Sequence, residues 1–139
     1  MRHEVTDTDT AESLGSGDVH VLGTPRLIAW MEAATVREAA AFLGPGQTTV
    51  GTAIRIEHRR PTAVGASVVV TASPRGRDGR RLTFDVQAID GSARIVAAGE
   101  IDRVIVDRDR FVSAAADADA QSRCSVGRHG AGTARPTTE

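Results

Sequence analysis

Apolar residues recur every three or four positions from Leu27 to Phe42, which is the spacing of the core-facing side of an α-helix. Before this stretch, Thr24 is a good N-cap residue, and Pro25 suits the first helical position because its missing N–H costs nothing there. After it, Gly44 suits a left-handed C-cap, and the proline that follows cannot continue the helix. The pattern predicts one amphipathic helix of about five turns.

From residue 48 onward the apolar period changes to two, which is typical of β-strands. Two Asp-Gly pairs, at 78–79 and 90–91, are typical of tight hairpins. Such short connections favour an antiparallel meander, because parallel strands need longer crossovers. The predicted fold class is therefore α+β, with one long central helix and an antiparallel sheet. The predicted strands are 48–59, 66–73, 82–88 and 95–105.

The character of the chain changes after Phe111. Residues 1–111 carry all the periodic segments and are enough for a single domain with one core, although residues 1–22 contain few apolar positions. Residues 112–139 are mostly Ala, Ser, Gly, Thr and scattered charge, with almost nothing to bury. We predict that they form a disordered, low-complexity tail.

Composition argues against several classes of partner. The 17 Lys and Arg residues nearly balance the 18 Asp and Glu residues, so we expect no nucleic-acid and no membrane partner. No apolar run approaches the roughly 20 residues that a membrane-spanning helix needs. The polar N-terminus does not resemble a signal peptide, and the single cysteine, Cys124, cannot form an intramolecular disulfide. We therefore expect a cytosolic protein.

A few polar side chains lie where the pattern predicts apolar ones. Glu32 falls inside the apolar arc of the helix, but Glu38 does too, and spacing does not distinguish them. His58 shares a strand face with apolar residues, where a lone histidine is more often a core residue. Arg103 follows the apolar parity of its strand and could pack its stem with its head in water. A carboxylate and an imidazole in one small core can nevertheless tune each other's pKa for catalysis.

The sequence gives little indication of a metal site, a phosphate-binding loop or a nucleophilic serine motif. The four histidines are too dispersed for a metal site to be predicted by spacing, and we expect no metal and no cofactor. The glycine-rich stretch at 44–46 follows a helix, the wrong order for a phosphate-binding loop. A G-x-S-x-G nucleophile motif is absent from the sequence.

One group of residues resembles a known family. Thr24, the run 27–32 that ends at Glu32, the Gly-Pro-Gly turn, and the segment 48–54 before His58 are similar to the bacterial hot-dog thioesterases that include fluoroacetyl-CoA thioesterase. In that family a Thr, a Glu eight residues later and a His on the next strand form the active site. The resemblance covers roughly residues 17–111. It implies that Thr24, Glu32 and His58 are catalytic.

The resemblance also implies an architecture and a reaction. It implies a hot-dog fold, a homodimer with sheets joined edge to edge and sites between subunits, and hydrolysis of a small acyl thioester of coenzyme A or a carrier protein. The family's strand glycine matches Gly51, and an arginine near the middle of its last strand matches Arg103, expected as a substrate contact. The fluoroacetyl-specific member covers its site with an aromatic segment. Residues 10–22 contain no Phe, Tyr or Trp, so that selectivity is not implied here.

Two other functions fit the same pattern. A hot-dog hydratase or dehydratase also uses an acidic residue and a histidine, although such enzymes usually show a different helix motif. A non-catalytic protein that binds acyl-CoA or acts as a scaffold would retain the fold without turnover. Release of free thiol from an acyl-CoA separates both from a thioesterase.

Overall fold

The computed structural model of the protein describes residues 1–128. Its five strands form one sheet in the order β1-β3-β4-β5-β2. The elements are β1 (Arg2–Glu4), α1 (Ala11–Leu14), α2 (Thr24–Ala39), β2 (Gln47–His58), β3 (Ser67–Asp78), β4 (Arg81–Asp90), β5 (Ile95–Asp107) and α3 (Arg108–Arg128), with 3-10 turns at Asp7–Asp9 and Ala40–Phe42. The predicted α+β class is confirmed, and each of the four predicted strands is present.

Strands β3, β4 and β5 form the predicted antiparallel meander, in which Val70 pairs with Ala88 and Phe84 pairs with Ile101. The first hairpin turns at Gly79, whose φ of +62° is a left-handed conformation that glycine adopts without steric cost. Short β1 pairs with β3 at one edge of the sheet. Strand β2, with 12 residues, forms the other edge.

Helix α2 packs on one face of this sheet. Its Leu27 and Met31 are fully buried in the same cluster as Phe84, Ile101 and Val70 from the strands. Because the chain has only 3% aromatic residues, most of this core is built from aliphatic side chains. Complete burial of a Leu, Met or Phe side chain is worth about 1.5–3 kcal/mol, so this contact fixes where α2 lies on the sheet.

The ends of α2 differ from the prediction. Gly23 is the N-cap and Thr24 is already helical, so the prediction that Thr24 caps the helix is wrong, and its hydroxyl is available to another partner. The helix ends at Ala39 and continues as a 3-10 turn. The backbone of Gly44 is not in the left-handed conformation, whereas that of Gly46 is, with φ of +73°. The 3-10 turn tightens the helix end, which removes the need for a left-handed cap at Gly44.

The chain divides into two compact units, residues 1–106 and the segment from residue 107 onward. The second unit contains α3, so residues 112–128 are helical where we predicted disorder. Alanine-rich sequence has a high helix propensity without burial, and Asp119 and Arg123 form an i,i+4 ion pair of 3.0 Å. Residues 129–139 lie outside the described part. No helix within residues 1–128 is both long and apolar enough to cross a membrane.

Strand β2 lies close against β5 at Gly99. A Cβ atom there would overlap the carbonyl oxygen of Arg55 and lie 3.0 Å from the Cα of Ile56. Backbone atoms cannot move aside as flexible side chains do. Gly99 is therefore required for β2 to take its place at the edge of the sheet.

We expect Gly99→Ala to lower the free energy of unfolding by about 1–3 kcal/mol, because β2 must shift to admit the methyl group. Gly91→Ala is the matched control: its Cβ would meet no atom within 4 Å, and its stability should stay within about 0.5 kcal/mol of wild type. Urea unfolding of both variants measures the difference. Equal transition midpoints for the two variants would contradict the close contact.

Candidate active site

The first residue of α2 and the last residue of β2 meet through their side chains. Thr24 Oγ1 lies 2.8 Å from His58 Nδ1, which is hydrogen-bonding distance. Thr24 is exposed and His58 is half-buried, so the pair is open to a ligand on one side. Gly23, and not Thr24, caps the helix, and among the described residues the Thr24 hydroxyl has its hydrogen bond with His58. We call these two residues the threonine–histidine pair.

The environment of His58 favours a neutral imidazole. Burial lowers the pKa of His58 because it disfavours the charged ring, and the backbone of Arg60 opposes this shift only in part. Within the described residues, the buried Nε2 atom has no hydrogen-bond partner. A neutral imidazole can accept the Thr24 proton at Nδ1, so the pair is a hydroxyl held against a base.

A cleft of about 310 Å³ opens beside the threonine–histidine pair. Its walls come from the segment before α2 and from the end of β2. Most of the wall is small or apolar, and two arginines lie at the end of the strand. The lining residues are Ala11, Ser16, Gly17, Val19, Val21, Leu22, Thr24, His58, Arg59, Arg60 and Pro61.

Glu32 belongs to a second group of side chains. Its side chain is 38% exposed, and its Oε2 lies 3.6 Å from Nη1 of Arg103. A Cβ atom at Gly51 would lie 3.0 Å from the same Oε2. Any residue other than glycine would therefore force the carboxylate to move. Glu38, by contrast, is exposed. The structure thereby distinguishes two glutamates that helical spacing alone does not. We call Glu32, Gly51 and Arg103 the carboxylate cluster.

Arg103 is buried beneath this cluster, with 6% of its surface exposed. Nε donates to Thr49 Oγ1 at 2.8 Å, and Nη2 donates to the Thr49 carbonyl oxygen at 3.2 Å. Nη1 lies 3.5 Å from Thr35 Oγ1. Burial lowers the pKa of Arg103, and the neighbouring Glu32 carboxylate opposes that shift. Neither threonine is predicted from the sequence. Thr35 offered a signal, because it lies on the apolar face of the helix and a hydroxyl buried there needs a partner.

The threonine–histidine pair and the carboxylate cluster lie apart within one chain. Thr24 and Glu32 are separated by eight residues of α2, or about 12 Å along the helix axis. Gly51 and His58 are separated by seven residues of β2, or about 23 Å of extended strand. No hydrogen bond or ion pair between described residues joins the two groups. The five residues singled out in the sequence thus form two half-sites.

Sequence comparisons point to one family. The profile of the family described as fluoroacetyl-CoA-specific thioesterase matches residues 5–109. The fluoroacetyl-CoA thioesterase of Streptantibioticus cattleyicolor is 38% identical over 91 residues, which cover 66% of this chain. The same alignment spans 65% of that relative's length, slightly less than two thirds.

Solved structures agree with the sequence comparisons. The fluoroacetyl-CoA thioesterase superposes with a TM-score of 0.78 at 30% identity, covering 84% of this chain and 90% of its own. A variant of that enzyme in complex with fluoroacetate and CoA gives 0.77 at 30% identity, covering 84% and 95%. A thioesterase superfamily member from Thermus thermophilus gives 0.82 at 21% identity, covering 89% and 91%, and shows the fold alone. The predicted hot-dog fold is confirmed.

Proposed function

The chain belongs to the fluoroacetyl-CoA-specific thioesterase family, and we propose that it hydrolyses a small acyl thioester of coenzyme A to the free acid and the thiol. The observation that carries this proposal is the 2.8 Å contact between Thr24 Oγ1 and His58 Nδ1 beside a cleft. A thioester carbonyl needs a positioned nucleophile, a proton donor for the leaving sulfur and donors for the oxyanion. The two half-sites contain candidates for each.

In the proposed mechanism, Glu32 either attacks the thioester carbonyl to form an acyl-enzyme anhydride or takes a proton from the attacking water. The carbon–sulfur bond breaks and the thiolate departs. His58, neutral at rest, relays to that sulfur a proton taken from water: either the attacking water or, in the anhydride route, the water that hydrolyses the anhydride to the free acid and regenerates Glu32. Thr24 orients His58 and the substrate through its hydroxyl. The backbone N–H of Gly51 is assigned to the oxyanion, since a position without a side chain allows close approach of the carbonyl.

A homodimer reconciles this mechanism with the separation of the half-sites. Strand β2 is a 12-residue edge strand, and an unpaired edge offers its N–H and C=O groups to another strand. Ile54, near the middle of β2, is 42% exposed. Pairing of β2 with a second copy would cover this side chain and give the free N–H and C=O groups of the edge hydrogen-bond partners. Such a contact, made by the same surface on both subunits, is that of a two-fold dimer.

Antiparallel pairing of two β2 strands about a two-fold axis near Ile54 and Arg55 has a direct consequence for the site. Gly51 and His58 lie at similar distances on either side of that axis, so Gly51 of one subunit falls opposite the partner's His58. The Glu32 carboxylate, which lies against Gly51, would then face the partner's threonine–histidine pair. Each complete site takes one half from each subunit.

The volume and the lining of the cleft indicate which acyl groups the enzyme would accept. A volume of about 310 Å³ is at the small end of the range for ligand pockets, which favours a short acyl chain. Ser16, Gly17 and Val19 form part of its wall, and the segment 10–22 contains no aromatic residue. We therefore propose that the enzyme is not restricted to fluoroacetyl groups. A carrier-protein donor and the cytosolic location stay predictions.

The activity is tested by incubating the protein with short, branched and aryl acyl-CoAs and measuring free thiol. We expect release from at least one substrate. Glu32→Gln and His58→Gln should each lower kcat at least about 100-fold, while Glu38→Gln, the matched control on the same helix, should remain near wild type. No thiol release from any substrate would refute the thioesterase. Substrate binding without turnover would favour a scaffold, and hydration of an enoyl-CoA would favour a hydratase.

The shared site is tested by mixing two inactive variants. After unfolding and refolding together, Glu32→Gln and His58→Gln subunits should form heterodimers in which one of the two sites is intact. With random pairing we expect about a quarter of wild-type activity, because half of the dimers are mixed. If the mixture stays as inactive as each variant alone, the sites are not shared between subunits.

Selectivity is tested with fluoroacetyl-CoA and acetyl-CoA. Without an aromatic cover over the cleft, we expect kcat/KM for the two substrates to differ by less than about 100-fold, the range that small differences in apolar contact usually give. Thiol release at several substrate concentrations measures both values. A strong preference for the fluorinated substrate beyond this range would show that the segment 10–22 performs the discrimination without aromatic residues.

A further inference from the structure

We propose that Thr35 and Thr49 are positioning residues for Glu32. They hold the Arg103 guanidinium beneath the Glu32 carboxylate, and Arg103 acts on Glu32 instead of contacting the substrate. This inference rests on the proposed function, because it concerns how the reacting carboxylate is oriented. It changes the role that the family resemblance implies for Arg103.

The contacts of Arg103 leave little for a substrate. Two of its three nitrogens donate to Thr49, one to the hydroxyl at 2.8 Å and one to the carbonyl at 3.2 Å. The third nitrogen lies between Thr35 Oγ1, at 3.5 Å, and Glu32 Oε2, at 3.6 Å. With only 6% of its surface exposed, Arg103 has its polar groups directed into the protein. A substrate contact would need a free N–H at the surface.

Thr35 ties the guanidinium to the helix turn that carries the carboxylate. Its hydroxyl donates to the backbone carbonyl of Glu32 at 2.6 Å and faces Nη1 of Arg103 with its lone pairs. Thr35 itself is fully buried. A hydroxyl that both donates and accepts in this way links Glu32 and Arg103 in one network across helix and sheet.

This arrangement suits a carboxylate that must react. A guanidinium is planar and permanently charged, so fixing it at Thr49 fixes the direction of the field that Glu32 experiences. At 3.6 Å, Arg103 attracts Oε2 without a short hydrogen bond to it. No other described residue forms an ion pair or hydrogen bond with the carboxylate group of Glu32. Its geometry toward a thioester therefore depends on Arg103, and small displacements of reacting groups can cost a large share of the rate.

The test compares threonine variants that keep or remove the hydroxyl. Thr49→Val and Thr35→Val should lower kcat about 10- to 100-fold with KM changed less than about threefold, because substrate contacts are retained while the carboxylate loses its orientation. Thr49→Ser, which keeps the hydroxyl, should restore most of kcat. Thr71→Val is the control: Thr71 is an exposed residue of β3, outside both the network and the strand β2 that is proposed to pair with the partner.

Two outcomes would overturn the inference. If Thr49→Val and Thr35→Val both keep wild-type kcat, the hydroxyls do not position Glu32. If KM rises while kcat is retained, Arg103 contacts the substrate. Urea unfolding of each variant accompanies the kinetics. Thr35→Val, which removes the longest hydrogen bond of Arg103, serves if Thr49→Val does not fold.

A measurement without substrate separates this inference from the thioesterase proposal. The Nε–H group of Arg103, assigned in NMR spectra by comparison with Arg103→Lys, should exchange slowly with solvent in wild type and in Thr49→Ser. It should exchange rapidly in Thr49→Val. Fast exchange in the wild type would refute the fixed guanidinium even if thiol release is observed, whereas slow exchange without thiol release from any substrate would refute only the enzymatic function.

Discussion

A buried guanidinium is the constraint on which the arrangement of the site depends. Arg103 lies on β5, Thr49 on β2 and Thr35 on α2, so the hydrogen bonds of one charged group join three elements that are distant in sequence. Burying a charge costs several kcal/mol unless partners compensate it, and removing one partner leaves the cost in place. The fold therefore brings hydroxyls and a carboxylate to Arg103, and the carboxylate in question is Glu32.

The same constraint explains why the site is divided. Glu32 lies against Gly51 of β2 and Arg103 of β5, whereas Thr24 is about two helical turns away and meets the C-terminal end of β2. A helix rises about 1.5 Å per residue and a strand about 3.3 Å per residue. The distance from Thr24 to Glu32 along α2 is therefore shorter than the distance from His58 to Gly51 along β2. Within one chain the two groups therefore lie too far apart to serve the single reaction site that the proposed mechanism requires. In the homodimer that we propose, a two-fold axis through the edge strand would exchange the ends of β2 and supply the other half of the site.

Periodicity predicted much of the fold, because helix α2 and strands β3 to β5 bury alternate or regularly spaced apolar residues, and the turns between the elements contain Gly or Pro. Strand β2 was predicted too, although Thr49 is its one buried residue. Periodicity did not distinguish Glu32 from Glu38, since burial at the helix edge depends on what the sheet places beside it. It also assigned Thr24 to the helix cap, a role that Gly23 fills. The contacts of Arg103 with residues 54 and 68 positions away leave no local signal in the sequence.

The segment that forms one wall of the cleft and the helix start that carries Thr24 are fixed by the same backbone contacts. A Cβ atom at Gly23 would lie 3.1 Å from the backbone of Ala11, so α1 packs directly on the start of α2, and the Gly23 N–H donates to the Asp9 carbonyl at 2.8 Å. Leu22 is held to Thr62 by a further backbone hydrogen bond. The exposed stretch 15–20 between these anchors carries no such constraint on Thr24. Its side chains can therefore change the shape of the cleft while the threonine–histidine pair keeps its geometry. Under the proposed function, this would separate substrate choice from catalysis within a single short segment.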